Sequence, residues 1–92
     1  MESHIAASLK RALQGAVTPN LQAAGFRLED QLIITVFVFA VAPSDGEFET
    51  TQIIGTDVIS DFPDLDIREE MHTVGTGPLP HAALGWLVFE RS

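Results

Sequence analysis

Leu32-Ile33-Ile34-Thr35-Val36-Phe37-Val38-Phe39-Ala40-Val41-Ala42 is the longest apolar run in this chain of 92 residues, and only Thr35 interrupts it. A membrane-crossing helix takes about 20 such residues, so the run is too short to span a bilayer. It is rich in Ile, Val and Phe, whose branched or flat side chains fit a pleated surface. The run reads as a buried strand, with Ile33, Phe37, Phe39 and Val41 on one face and Leu32, Ile34, Val36 and Val38 on the other. A strand apolar on both sides needs cover on both sides. One layer of helices supplies one cover. The second has to be the chain's own Gly75–Ala83 loop, a second copy of the chain, or a partner.

Outward from this strand, the pattern gives the remaining elements. Upstream, Ile5, Leu9, Ala12, Leu13, Ala16 and Val17 recur at steps of three and four, the stripe of an amphipathic helix, with Ser3 as its cap. Gly15 weakens its last turn, and Pro19 stops continuation by pushing the residue before it out of the helical region. Leu21 to Leu28 reads as a strand with Leu21, Ala23 and Gly25 in one row and Ala24, Phe26 and Leu28 in the other. The polar break Glu29-Asp30-Gln31 makes it a hairpin with the apolar run.

Downstream, Ser44 followed three residues later by Glu47 forms a capping box. Phe48, Thr51 or Gln52, Gly55, Val58 and Ile59 then mark a second helix, which Pro63 ends. Gly55 costs about 1 kcal/mol in a helix interior, so it marks close packing. Leu65, Ile67, Glu69, Met71 and Thr73 alternate with Asp66, Arg68, Glu70 and His72, the period of a half-buried strand. Gly75-Thr76-Gly77-Pro78-Leu79-Pro80 is a stiff loop, and Leu84 to Phe89 is a last strand carrying Trp86. The expectation is one α+β domain over residues 1–92, in the order α-β-β-α-β-β. It is a two-layer sandwich with two helices on one face of a four-stranded antiparallel sheet.

The charge is one-sided. Thirteen acids face five Lys and Arg residues, for a formal net charge of −8. From Asp45 to Glu70 there are nine acids and a single cation, Arg68, while the four acids and four cations elsewhere cancel. Such a chain is not expected to bind nucleic acid, whose affinity comes from Lys and Arg on phosphates, nor an anionic membrane surface. It draws in a cationic partner. Glu47, Glu49, Asp57, Asp61, Asp64, Asp66, Glu69 and Glu70 are the candidate partner-binding residues. Acids in the first turn of a helix are favoured by its dipole, whereas Asp61, Asp64 and Asp66 lie past the helix end, where local structure does not ask for them.

Catalytic and cofactor chemistry finds little purchase. The absence of cysteine excludes disulfides, thiolate zinc sites and a Cys nucleophile. The Asp57, Asp61, Asp64, Asp66 group lacks EF-hand spacing, and Pro63 splits it. His4, His72 and His81 are too scattered for zinc, with His72 expected on a solvated strand face and His81 in a loop. Gly75-Thr76-Gly77 has neither Rossmann spacing nor a P-loop lysine. Neither Ser44 nor Ser60 sits in a nucleophile elbow. No cofactor, no metal and no enzymatic activity are expected. The N-terminus carries no basic region followed by an apolar one, so a cytoplasmic location is the expectation.

Val17-Thr18-Pro19-Asn20-Leu21, Asp57-Val58-Ile59-Ser60-Asp61-Phe62-Pro63 and Gly85-Trp86-Leu87-Val88-Phe89-Glu90-Arg91 together resemble a group of small acidic bacterial proteins. That group carries VTPNLR, EVIADFP and closing WVY-x-R segments, with a Pro-x-Pro loop like Pro78-Leu79-Pro80 before the last. This chain departs from it at Gln22 and Val88. Some members resemble immunity proteins that neutralise contact-delivered or colicin-like toxins, and no catalytic residues carry over. The resemblance mainly supports the fold. Small size, the lack of catalytic apparatus and the one-sided acidity lead to the expectation of a non-catalytic immunity or inhibitor protein that binds a cationic toxin, such as a nuclease, stoichiometrically. The alternatives are a homodimeric structural or housekeeping domain joined through its apolar sheet face, and an acidic secretion-chaperone-like module.

Overall fold

A 16-residue helix separates two strands in the middle of the chain, and that spacing decides the sheet. The computed structural model describes residues 1–91. Along them run α1 (Glu2–Leu13), β1 (Leu21–Glu29), β2 (Leu32–Phe39), α2 (Asp45–Ser60), β3 (Asp66–Thr73), α3 (His81–Leu84) and β4 (Trp86–Glu90). The four strands form one sheet in the order β3-β2-β1-β4. β1 pairs antiparallel with β2 and with β4, but β3 pairs parallel with β2. The sheet is therefore mixed, which corrects the antiparallel expectation. A helix laid against the sheet returns the chain to the end where β2 began, so the next strand can only run the same way as β2. The order is α-β-β-α-β-α-β, with the short α3 on the face opposite the two long helices, which corrects the two-helix order α-β-β-α-β-β.

The elements begin and end for local reasons. α1 starts at Glu2 with Met1 as its N-cap, so Ser3 lies inside the helix rather than capping it. It stops at Leu13, ahead of Gly15, whose φ of 77° is left-handed. The β1–β2 turn is closed by Asp30 and Gln31, with Asp30 at φ 55°, a conformation that Asp tolerates better than most residues. A register shift between Leu21 and Ala23 turns Leu21 to the helix side, although simple alternation puts it in the row of Ala23 and Gly25. The apolar run leaves the strand at Phe39, so Val41 is 65% exposed. At the far end, Leu84 belongs to α3 and not to the last strand, and Leu65 precedes β3.

Both faces of β2 are buried, as its composition requires. On one side Ile33, Phe37 and Phe39 pack with Ile5, Leu9 and Leu13 of α1, Ala24 and Phe26 of β1, and Ile54 and Val58 of α2. On the other, Ile34, Val36 and Val38 join Ala23 and Leu84, with Leu32, Val74, Leu79 and Leu87 around them. The second cover is thus the chain's own segment from Val74 to Leu84. The apolar sheet face that would have joined two copies is already filled from within. Thr35, the one polar residue of the run, is fully buried and donates its hydroxyl to the Arg68 carbonyl, 3.3 Å away.

Two glycines let α3 lie on the sheet. A Cβ at Gly25 would fall 2.5 Å from the Trp86 carbonyl oxygen and 2.7 Å from that of Leu84. Gly85 has a left-handed φ of 65° and would meet the Phe26 carbonyl oxygen at 2.6 Å. Beside this contact the Trp86 ring stacks on Phe26, with centroids 5.7 Å apart.

Candidate functional site

The eight acids expected to meet a partner divide into two groups once their neighbours are known. Glu47 closes the capping box: its backbone N–H donates to the Ser44 hydroxyl, and its carboxylate accepts from the Ser44 backbone N–H at 3.0 Å. The same carboxylate accepts from the Thr18 hydroxyl and, at 3.2 Å, from the Asn20 amide. The Thr18 hydrogen bond, with the cap behind it, holds the Glu47 carboxyl below its ordinary pKa. Asp61, the C-cap of α2, accepts from the Ser8 hydroxyl at 2.6 Å and from Arg11 at 3.0 Å. Ser8 first, and Arg11 after it, lower its pKa.

Glu70 lies on the sheet face opposite the two long helices, the face it shares with Arg27 and α3. Its two oxygens take both terminal nitrogens of Arg27, at 3.0 and 3.2 Å, and one oxygen meets His72 Nε2 at 2.7 Å. Arg27 foremost, then His72, bring the Glu70 carboxyl down to a pKa of about 2. His72 therefore carries a carboxylate contact, where a solvated strand face was expected. Glu69 points the other way, beneath α2. A Cβ on Gly55 would come within 3.0 Å of its Oε2, so the helix rests on this carboxylate and its burial raises the pKa. The close packing expected at Gly55 is this contact.

Glu49, Asp57, Asp64 and Asp66 remain. All four are exposed, and among the described residues none has a side-chain hydrogen bond or ion pair. The parallel pairing also brings in two acids that the charge count set aside. The Asp66 backbone N–H donates to the Gln31 carbonyl at 2.8 Å, which puts the start of β3 beside the β1–β2 turn. Glu29 and Asp30 thereby share one end of the sheet with Asp66, and Asp64 lies two residues before it. An antiparallel β3 would have left Asp66 at the opposite end. The sequence signal for this was the long helix between two strands.

Among the described residues, no group of three or more His, Cys, Asp or Glu side chains converges as a metal site. No helix among them is long and apolar enough to cross a membrane. An open groove of about 650 Å³ runs between β1, β4 and the Val74–His81 segment. Its Arg91 guanidinium is turned onto the carbonyls of Leu21 and Thr18, at 3.0 and 2.7 Å.

A small α+β chain with an acidic surface left unneutralised by its own cations is what the MafI2 immunity protein family model matches, over residues 2–92. The chain belongs to the MafI2 immunity protein family. No curated protein matches it.

In this MafI2 family member the solvent side of α2 carries the remaining signal. Glu49, Ile53 and Asp57 follow one another at four-residue steps and so form one ridge along the helix. With Gln52 and Thr56 they line a shallow dish of about 280 Å³. Ile53 is 60% exposed in the middle of it. Phe48, also exposed, lies five positions before Ile53, about 140° around the helix, and so faces elsewhere.

Proposed function

We propose that this chain neutralises a cationic toxin, such as a nuclease, by binding it stoichiometrically, and that the chain itself is non-catalytic. The observation that carries this reading is the membership in an immunity protein family by a chain whose net charge of −8 lies in one stretch. Four of the acids in that stretch, Glu49, Asp57, Asp64 and Asp66, are free to act outward. Glu47, Asp61 and Glu70 are held by hydrogen bonds within the fold and Glu69 is packed beneath α2, so these four contribute to the field of that stretch at a distance. The site of action is the cytoplasm of the producing cell, where an incoming toxin meets its inhibitor.

Electrostatic complementarity of this kind accelerates association more than it tightens the final complex. Tagged protein is therefore exposed to lysate of the native organism and washed at low and then high salt, and the captured polypeptide is purified and assayed. One basic polypeptide held at about one-to-one, whose toxicity to cells is relieved by co-expression of this chain, is the expected result. Self-association alone at every salt concentration would overturn the reading in favour of a homodimeric structural domain. Reversing the charge of Asp64 and Asp66 together is expected to slow association with that polypeptide about threefold to tenfold and to flatten its salt dependence.

A further inference from the structure

The ridge Glu49–Ile53–Asp57 breaks two local rules at once. Ile53 leaves most of a branched apolar side chain in water at 60% exposure, on a helix whose core face is already filled by Thr51, Ile54, Gly55 and Val58. Asp57 puts a negative charge in the last turn of α2, where the carbonyl dipoles are themselves negative and a cation is favoured. The last turn contains no basic residue. Arg11 of α1 lines a shallow hollow with Asp57, but its guanidinium is taken by Asp61 at 3.0 Å, and no side chain among the described residues pairs with Asp57. At the other end of the ridge Glu49 is equally unpaired. From Asp45 to Ser60 the helix has no Lys or Arg at all. Where local preferences are broken without an internal compensation, the compensation is expected from outside.

We infer that the outer face of α2 is the toxin-docking surface, with Ile53 entering an apolar socket that basic side chains of the toxin flank to meet Glu49 and Asp57. This rests on the immunity reading and adds which face binds and what chemistry the toxin presents to it. The occupant is set by charge and shape together. Two carboxylates about one helical turn on either side of an apolar knob ask for two cations about 12 Å apart with a hydrophobic recess between them. The acids at the end of the sheet, Asp64 and Asp66, have no exposed large apolar side chain among them and serve to steer the toxin in. The ridge holds it. In such interfaces a central apolar anchor governs dissociation, while rim charges govern the approach.

The test uses the full chain and, as probe, the strain's own toxin. p-Benzoylphenylalanine is placed singly at Thr56 in the dish, at Asp64 at the end of the sheet, and at Thr76 on the far loop, and irradiated in the native strain. The crosslinked polypeptide is then produced in an inactivated form and titrated against wild type, Ile53→Ala, the pair Glu49→Lys and Asp57→Lys, and the pair Asp64→Lys and Asp66→Lys. All variant positions are exposed, and a thermal melt confirms that each variant is folded.

The expected result is crosslinking from position 56, with Ile53→Ala raising Kd at least about tenfold through faster dissociation. The Asp64/Asp66 pair should change Kd less and act through slower association. Crosslinking from 64 or 76 but not from 56, or an Ile53→Ala chain that binds and protects like wild type, would overturn the assignment of this face while leaving the immunity reading intact. Absence of any crosslinked polypeptide from all three positions, with no protection by wild type, would overturn that reading and this inference together.

Discussion

Arg27 on β1 reaches over the central strand β2 to hold Glu70 on β3, Nη2 to Oε1 at 3.0 Å. In register, Arg27 lies opposite Ile34 and Glu70 opposite Val36, so the pair spans three strands on a diagonal. Arg27 also donates to Glu29 and to the carbonyl of Ala83 in α3. One guanidinium thus ties the edge strand β3 and the helix covering the back of the sheet to a central strand. Both charged side chains are about three-quarters shielded from water, at 23% and 27% exposure, which makes the pair stronger than a surface salt bridge.

Arg27→Met should therefore cost about 1–3 kcal/mol, because it removes several charged hydrogen bonds and strands the Glu70 carboxylate. For a domain of this size that is a fall of roughly 5–20 °C in the thermal midpoint, followed by circular dichroism. A midpoint within a degree of wild type would show that the diagonal pair carries no stability.

The same pair sets an acid limit. Glu70 titrates at about 2 in the folded chain against an ordinary 4.5, so its contribution is complete above pH 4.5 and is lost as the pH falls from 4.5 toward 2. Glu47 and Asp61, also lowered, act in the same direction. Urea midpoints measured from pH 6 to pH 2.5 should drop steeply for wild type and less steeply for Glu70→Gln. Coincident slopes would remove Glu70 from the account.

Glu69 has the opposite sign. Its carboxyl is raised by burial under Gly55, so ionisation is less favourable in the folded chain than in the unfolded one, and stability is lost as the pH rises through its titration. Glu69→Gln is expected to raise the thermal midpoint at pH 7 and to leave it unchanged below about pH 4. A lower midpoint at pH 7 would mean that the charge is wanted where it lies.

Glycine substitutions should separate by backbone contact. Gly25→Ala drives a methyl against the carbonyls of Trp86 and Leu84 at 2.5 and 2.7 Å and should cost about 1–3 kcal/mol or more. Gly46→Ala, in the first turn of α2, meets only the Ser44 hydroxyl at 3.9 Å and should stabilise the chain by up to about 1 kcal/mol. Denaturant unfolding of the two variants tests both signs; equal effects would refute the account of how α3 is seated.

Much of this was legible from residue pattern. The capping box at Ser44 and Glu47, the two rows of the central strand as far as Phe39, and the hairpin depend on neighbours a few residues apart, where spacing and stereochemistry suffice. Gly55 signalled close packing by its helix cost, but its partner Glu69 lies on another element. The cover of the second face by the chain's own loop was one of the alternatives that the doubly apolar strand required. Leu84 escaped, because in a four-residue helix one buried leucine looks like a strand residue. His72 escaped for another reason: its carboxylate is on the same strand, but Arg27, which orients that carboxylate, is 43 residues from it.

Local periodicity and charge order determined by themselves that this is a small α+β chain with a buried central strand and a one-sided acidic stretch. Tertiary structure alone decided which acids are free. Glu47, Asp61 and Glu70 meet Thr18, Ser8 and Arg27 at separations of 29, 53 and 43 residues, and no spacing rule reaches that far. It also decided the direction of β3, and with it the gathering of Glu29, Asp30, Asp64 and Asp66 at one end. Side-chain period says which face a residue takes, whereas the direction of a strand is set by the return path of the chain through α2.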